Sequence, residues 1–266
     1  MAQAFLSVEG VRKVYASRRG TIEAVREVTL AVGEREFVSL LGPSGCGKST
    51  LLMMVAGVLD PSAGRITIGG QSVEGPRRDV GVVFQSPLLL PWRTVLANVL
   101  FPAELQRRDA AGRVTRGMDL LAMVGLEEFA HHLPRELSGG MRQRVAICRA
   151  LVHDPALLLM DEPFGALDAL TRDEMNQELL RIWGEFRKTV LFVTHSIREA
   201  VFLSDRVLVF SRRPGTIVQE LSVDLPRPRT LAMEEAPEFS RMCAELRRAI
   251  GQEAPDPALV GGARHG

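Results

Sequence analysis

Short apolar runs alternate with glycine-rich and charged breaks along this chain. Val38-Ser39-Leu40-Leu41, Val80-Gly81-Val82-Val83-Phe84, Leu157-Leu158-Leu159-Met160 and Val190-Leu191-Phe192-Val193-Thr194 are brief and almost wholly apolar. Such runs predict buried strands, as in a parallel sheet covered on both faces. Residues up to about 35 mix β-branched side chains with charges and predict edge strands of a small antiparallel sheet. Ser49-Thr50-Leu51-Leu52-Met53-Met54-Val55 predicts a helix directly after the first buried strand. Asp60-Pro61-Ser62-Ala63-Gly64 is a turn. The stretch 88–150 reads as mainly helical and as an insertion, after which the core resumes to about residue 220. No internal repeat is visible.

The tail has its own pattern. Leu225-Pro226-Arg227-Pro228-Arg229 predicts an extended linker, because prolines hold themselves and their predecessors out of helix. Beyond it Phe239, Met242, Cys243, Leu246 and Ile250 recur at helical spacing, which predicts one amphipathic helix packed on the core. Gly251 to Gly266 is expected to be disordered. The expected division is therefore a domain over 1–224, holding the helical subdomain 88–150, and a tail over 225–266.

Composition narrows the picture. A chain of 266 residues suffices for one α/β domain with a smaller satellite. The formal net charge is +1, so no basic field recruits nucleic acid. With no apolar run of about 18 residues and no signal-peptide core behind Met1, the chain is expected neither to span nor to cross a membrane. Cys46, Cys148 and Cys243 form no metal spacing or disulfide framework, which suits a reducing compartment. Cys46 precedes a helix N-terminus, which favours thiolate, and is expected to be a reactive thiol.

Candidate chemistry lies in the breaks. Gly42-Pro43-Ser44-Gly45-Cys46-Gly47-Lys48-Ser49-Thr50 carries the Gly-x-x-x-x-Gly-Lys-Ser spacing between a predicted strand and a predicted helix. There the glycines let backbone N–H groups turn around a phosphate, and the helix N-terminus adds its positive end. Lys48 is the candidate contact to β- and γ-phosphates and Ser49 the candidate Mg²⁺ ligand. Leu157 to Met160 ends in Asp161-Glu162, which puts two carboxylates at the edge where open α/β sheets bind ligands. Asp161 is a candidate metal ligand, directly or through water, and Glu162 a candidate general base. Taken alone, that run is also what a strand entering a solvated turn looks like. Ser138-Gly139-Gly140 before Met141-Arg142-Gln143-Arg144-Val145-Ala146-Ile147 supplies an N-cap and exposed N–H groups at a second helix start.

The order of these features resembles the ABC ATPase family, the ATP-binding subunits of ABC transporters, over about residues 5 to 220. It runs phosphate loop, Gln85, Leu137-Ser138-Gly139-Gly140-Met141, Asp161-Glu162, Ala166-Leu167-Asp168, His195. The resemblance implies an α/β P-loop NTPase with a mainly parallel core sheet, an N-terminal antiparallel β-subdomain and the helical insertion. It implies two copies paired head to tail, each ATP lying between one phosphate loop and the partner's signature motif. Ser138, Gly139 and Gly140 would then touch the γ-phosphate of the other copy's ATP. Gln85 is similar to the Q-loop glutamine that senses Mg²⁺ and the γ-phosphate, and Asp168 to the D-loop aspartate at the dimer seam. His195 is similar to the switch histidine, although a lone histidine at a strand end is more often structural. Tyr15 lies where the family places the ring that stacks on adenine; packing on a surface strand is the alternative. Met141 and Gly165 depart from the family's frequent glutamine and serine without removing a phosphate ligand.

A finer resemblance rests on Ser86-Pro87-Leu88-Leu89-Leu90-Pro91-Trp92-Arg93-Thr94-Val95 and Ser211-Arg212-Arg213-Pro214-Gly215. Both runs are similar to ATPase subunits of nitrate, sulfonate and taurine importers. The first would form the groove that receives the permease's coupling helix. Trp92 reads either as an anchor of that interface or as a core residue of the helical insertion. The function implied is ATP hydrolysis with Mg²⁺ by a homodimer bound to two transmembrane permease subunits. It would sit peripherally on the cytoplasmic face of the plasma membrane, served indirectly by a periplasmic or extracellular solute-binding protein. The alternative is a soluble ABC ATPase acting on DNA or chromosomes, a class that usually adds coiled coils or clamp domains for which this chain has no room.

Overall fold

The computed structural model describes residues 4–17, 20–105 and 110–251. β1 (Leu6–Ser17) and β2 (Gly20–Val32) form a long antiparallel pair, and β3 (Phe37–Leu41) leads through the glycine loop into α1 (Lys48–Val55). β4 (Ala63–Ile68) and β5 (Gln71–Ser72) complete a four-stranded antiparallel sheet in the order β2-β1-β4-β5. β6 (Val80–Val83) is followed by α2 (Val95–Leu105), α3 (Ala110–Met123) and α4 (Gly139–Leu151), which pack on one another. Then come β7 (Leu157–Asp161), α5 (Ala169–Phe186), β8 (Thr189–Thr194), α6 (Ile197–Leu203), β9 (Arg206–Phe210), β10 (Ile217–Ser222) and α7 (Pro237–Gly251). The second sheet has the order β10-β9-β3-β8-β7-β6. Its strands run parallel except β10, which pairs antiparallel with β9 at one edge.

The unbroken apolar runs follow from burial on both faces. Every residue of β3 and β8 is buried. Alternate side chains enter two different cores. Phe37, Leu41, Leu158, Met160, Val190 and Phe192 join the layer that holds α4 to α7. Val38, Leu40, Leu157, Leu159, Leu191 and Val193 join the layer under α1 and the antiparallel sheet. Phe37 packs edge-on to Trp183 of α5 at 6.0 Å and tilts against Phe192 at 5.8 Å. Both separations lie in the favourable range for aromatic pairs.

The C-terminal strand ends fall level, and this register positions the site. Leu41 stands opposite Thr194 and Val209, Asp161 opposite Val193, and Val83 opposite Met160. The glycine loop, Gln85, Asp161-Glu162 and His195 therefore emerge at one edge.

The tail packs against α6, β9 and β10. Arg229 is buried and donates to the carbonyls of Val201, Phe202 and Ser204, satisfying the open end of α6. α7 buries Phe239, Cys243, Leu246 and Ala249. Of the segment expected to be disordered, Gly251 closes α7; residues 252–266 lie outside the described residues.

Candidate nucleotide site

The glycine loop is held open by backbone geometry. Gly47, the N-cap of α1, has φ of 110°, a conformation that L side chains avoid. A Cβ there would also lie 2.5 Å from the Ala24 carbonyl oxygen. Lys48 is buried, and its Nζ donates to the carbonyl oxygens of Gly42 and Pro43, each at 2.8 Å. The ammonium is thus fixed at the inner end of the loop.

Cys46 departs from expectation. Its thiol is buried beneath the loop, and burial raises its pKa against the smaller opposing pull of Lys48. The dipole of a helix start favours a thiolate only where solvent or charge can support it; here desolvation prevails. Cys46 contributes backbone to the loop, and burial pushes its thiol up from the usual range rather than down.

Two carboxylates meet the loop from β7. Asp161 accepts from Ser49 Oγ at 2.8 Å. Burial raises its pKa, with the neighbouring Glu162 pushing the same way and the Ser49 bond opposing. Glu162 has φ of 43°, unusual for a side-chain-bearing residue, and its backbone N–H donates to Val193 O. That turn brings Glu162 Oε2 to 2.9 Å from His195 Nδ1. Gln85 is exposed at the same edge. A Cβ on Gly165 would lie 3.4 Å from both Gln85 Nε2 and the Glu162 carbonyl oxygen, so the glycine leaves these groups room.

The loop from Ser44 to Thr50, Gln85, Asp161 and Glu162 line a cleft of about 550 Å³; Gly42, Pro43 and His195 are not in its lining, and His195 meets it through Glu162. Tyr15, Ile22 and Ala24 of the β1–β2 pair also line it. Tyr15 is 40% exposed, and Lys13 Nζ lies 5.4 Å from its ring centroid.

Other nominated residues lie elsewhere on the chain. Ser138, Gly139, Gly140 and Asp168 do not line this cleft. Ser138 caps α4 by accepting from Met141 N at 3.2 Å. Gly139 and Gly140 pack beside Leu167 and Thr171, against the start of α5. Asp168 caps α5, accepting from Thr171 N at 3.0 Å and Thr171 Oγ1 at 2.7 Å. Those bonds hold its carboxyl below the usual carboxylate range. The signature segment and the loop before α5 therefore form one surface, separate from the chain's own phosphate loop.

Motif reading missed two groups. Arg213 lines the cleft from the β9–β10 turn. Glu199 is buried on α6, accepts from Thr194 Oγ1 at 2.5 Å and faces Arg172 Nε at 3.6 Å. Arg172 in turn donates to the carbonyls of Leu167 and Phe164. This chain of contacts ties the residue before His195 to the loop that carries Asp168. Its only signal in the sequence is a glutamate one turn into a helix.

A family model described as ABC transporter matches residues 25–165. This chain belongs to the ABC transporter ATPase family. A taurine import ATP-binding protein of Rhizobium johnstonii is 47% identical over 92% of this chain and 96% of its own. A nitrate import ATP-binding protein of Synechocystis sp. is 43% identical over 96% of this chain and 98% of its own. The bacterial ABC transporter cassette MJ0796, solved as a dimer, covers 83% of this chain with all of its own, at TM-score 0.74 and 35% identity. The same cassette as a post-hydrolysis dimer bound to ADP and Pi gives TM-score 0.73. This ABC ATPase has the cassette fold and hydrolyses ATP to drive import. Among its described residues no helix is long and apolar enough to cross a membrane.

Proposed function

We propose that two copies of this ABC ATPase close head to tail around two ATP molecules, each bound by one phosphate loop and the partner's Ser138-Gly139-Gly140. The observation that carries this reading is that Ser138-Gly139-Gly140, at the capped N-terminus of α4, does not line the cleft that holds Lys48. The dimeric form of the similar cassette MJ0796 supports the pairing.

Within each site the backbone of Gly45 to Ser49 cradles the phosphates and Lys48 neutralises their charge. Glu162 takes a proton from the attacking water, and His195 orients its carboxylate through the 2.9 Å contact. Tyr15 offers a ring to the base. The residues present fit Mg²⁺. Ser49 Oγ and Asp161 stand side by side, and the Asp161 charge is disfavoured by burial, which a divalent cation would offset. Among the described residues no group of three or more His, Cys, Asp or Glu side chains could hold a metal unaided, so Mg²⁺ would take its remaining ligands from phosphate and water. When bound, it supplies charge stabilisation on the transferring phosphoryl group.

The relatives named for taurine and nitrate import support a small anionic or zwitterionic solute. Two transmembrane permease subunits would carry it, with a solute-binding protein delivering it from outside. The ATPase would then sit peripherally on the cytoplasmic face of the plasma membrane. The loop after Gln85 is the permease contact in this reading, because it presents Leu88 and Trp92 to solvent.

Replacing Glu162 by Gln tests the catalytic half. Loss of a general base lowers turnover about 10²- to 10⁴-fold. The Glu162→Gln protein should still bind ATP, and trapped ATP should hold two copies together in size-exclusion chromatography. Turnover at the parental rate would remove Glu162 from the role of base.

A further inference from the structure

Among the described residues Lys48 and Arg213 are the two cations that line the nucleotide cleft, and Arg213 comes from a turn outside the motifs that mark such sites. The turn is rigidly built. Ser211 N donates to Thr216 O at 2.9 Å, and Thr216 N donates back to Ser211 Oγ at 2.9 Å. Gly215 N donates to Ala24 O at 3.0 Å, and Arg26 N donates to Gly215 O at 2.9 Å, so the turn is stitched to β2. On its other side a Cβ at Gly215 would overlap the Cys46 carbonyl oxygen, so only glycine lets the turn touch the phosphate loop.

Arg213 is thereby presented to the loop with little freedom in its backbone. Its Nε lies 3.4 Å from the Gly45 carbonyl oxygen, a long and weak contact. Among the described residues no carboxylate forms an ion pair with it, and its side chain is exposed. A preset guanidinium with donors to spare, beside a phosphate cradle, matches the oxygens of a phosphate group. Lys48 sits at the inner end with Ser49 and Asp161, where the terminal phosphates belong. Arg213 instead hangs from the ribbon that carries Tyr15, since Ile22 of β2 pairs with Tyr15 and the turn is bonded at Ala24.

We propose that Arg213 is a nucleotide-binding residue that donates to the inner part of the phosphate chain, the portion shared by ATP and ADP. The proposal rests on reading the cleft as the nucleotide site. Arg213 would act on affinity and on the placement of the α- and β-phosphates, leaving proton transfer to Glu162.

Binding of ATP and of ADP to the full chain, measured with Mg²⁺ chelated, tests this alongside steady-state kinetics. Arg213→Ala should weaken both nucleotides by the same factor, about tenfold, which is what one charge-assisted hydrogen bond supplies. KM should rise by a similar factor, and kcat should fall far less. Arg213→Lys should recover part of the affinity. Arg213→Gln keeps a donor for the Gly45 carbonyl without the charge, and it should bind as weakly as Arg213→Ala. Both nucleotides binding the Ala and Gln variants as tightly as the parent would overturn the assignment. So would parental affinity in the Gln variant alone, because the side chain would then act only by packing on the loop. A parent protein that binds neither nucleotide would instead overturn the reading of the cleft.

Discussion

Asp161 shows how this site trades folding stability for ligand affinity at the scale of one side chain. Burial raises its pKa, so its ionised form is disfavoured in the folded chain relative to the unfolded one. The sign follows. The cost is present at neutral pH and fades as pH falls towards the unfolded value of about 3.9, below which both states are protonated. Asp161→Asn keeps an acceptor for Ser49 Oγ and removes the charge. Without nucleotide it should therefore melt above the parent at neutral pH, with the gap closing towards about pH 4. The Mg²⁺-dependent part of the stabilisation by ATP should be lost. Thermal denaturation across pH, with and without Mg²⁺-ATP, reads both effects, and an Asn variant that melts below the parent at neutral pH would contradict the account. Cys46 teaches the complementary point. Its sequence position suggested a lowered thiol pKa, and burial raises it instead.

Legibility at the level of elements tracked how locally each feature is determined. The phosphate loop declared itself because close backbone approach to phosphate demands glycines at fixed spacing. The strands did so because burial on both faces demands unbroken apolar runs. Arg213 and Glu199 did not, because each reaches the site through contacts between distant elements. The loop from Leu88 to Thr94 is a third case. Asn98 is fully buried and bonds the backbone of Leu90, Arg93 and Thr94, while Arg149 of α4 donates to the carbonyls of Pro87 and Leu88. The loop is fixed from beneath, and Trp92 is left 74% exposed, which overturns its reading as a core residue. Trp92→Ala should leave the melting temperature and ATPase rate of the isolated subunit near those of the parent. Truncating an anchor of this kind costs about 2 kcal/mol or more in an interface, so copurification with the permease and solute uptake should fall together. A Trp92→Ala subunit that retains full permease binding would exclude this loop as the docking surface.

For the whole molecule, the pattern of apolar runs and breaks anticipated a mainly parallel sheet, an antiparallel β-subdomain and helices inserted between strands. Level strand ends then gather the phosphate loop, Gln85, Asp161, Glu162 and His195 at one edge. What one chain does not gather is equally informative. Ser138, Gly139 and Gly140 do not line the chain's own cleft, and the two glycines lie beside Leu167 and Thr171 at the start of α5. Symmetric pairing would give each cleft a second phosphate-binding helix start, as an isologous two-fold interface does by construction. Complementation between two inactive variants measures this most directly. Ser138→Arg spoils the surface offered to the partner and leaves the chain's own cleft intact. Lys48→Ala spoils the cleft and leaves the offered surface intact. Each alone should hydrolyse almost no ATP, while Ser138→Arg should still bind it. Mixed, they should regain turnover, with a maximum at equal amounts, because every heterodimer holds one complete site. Mixtures inactive at every ratio, or a Ser138→Arg subunit that has itself lost nucleotide binding, would contradict a site shared between two copies.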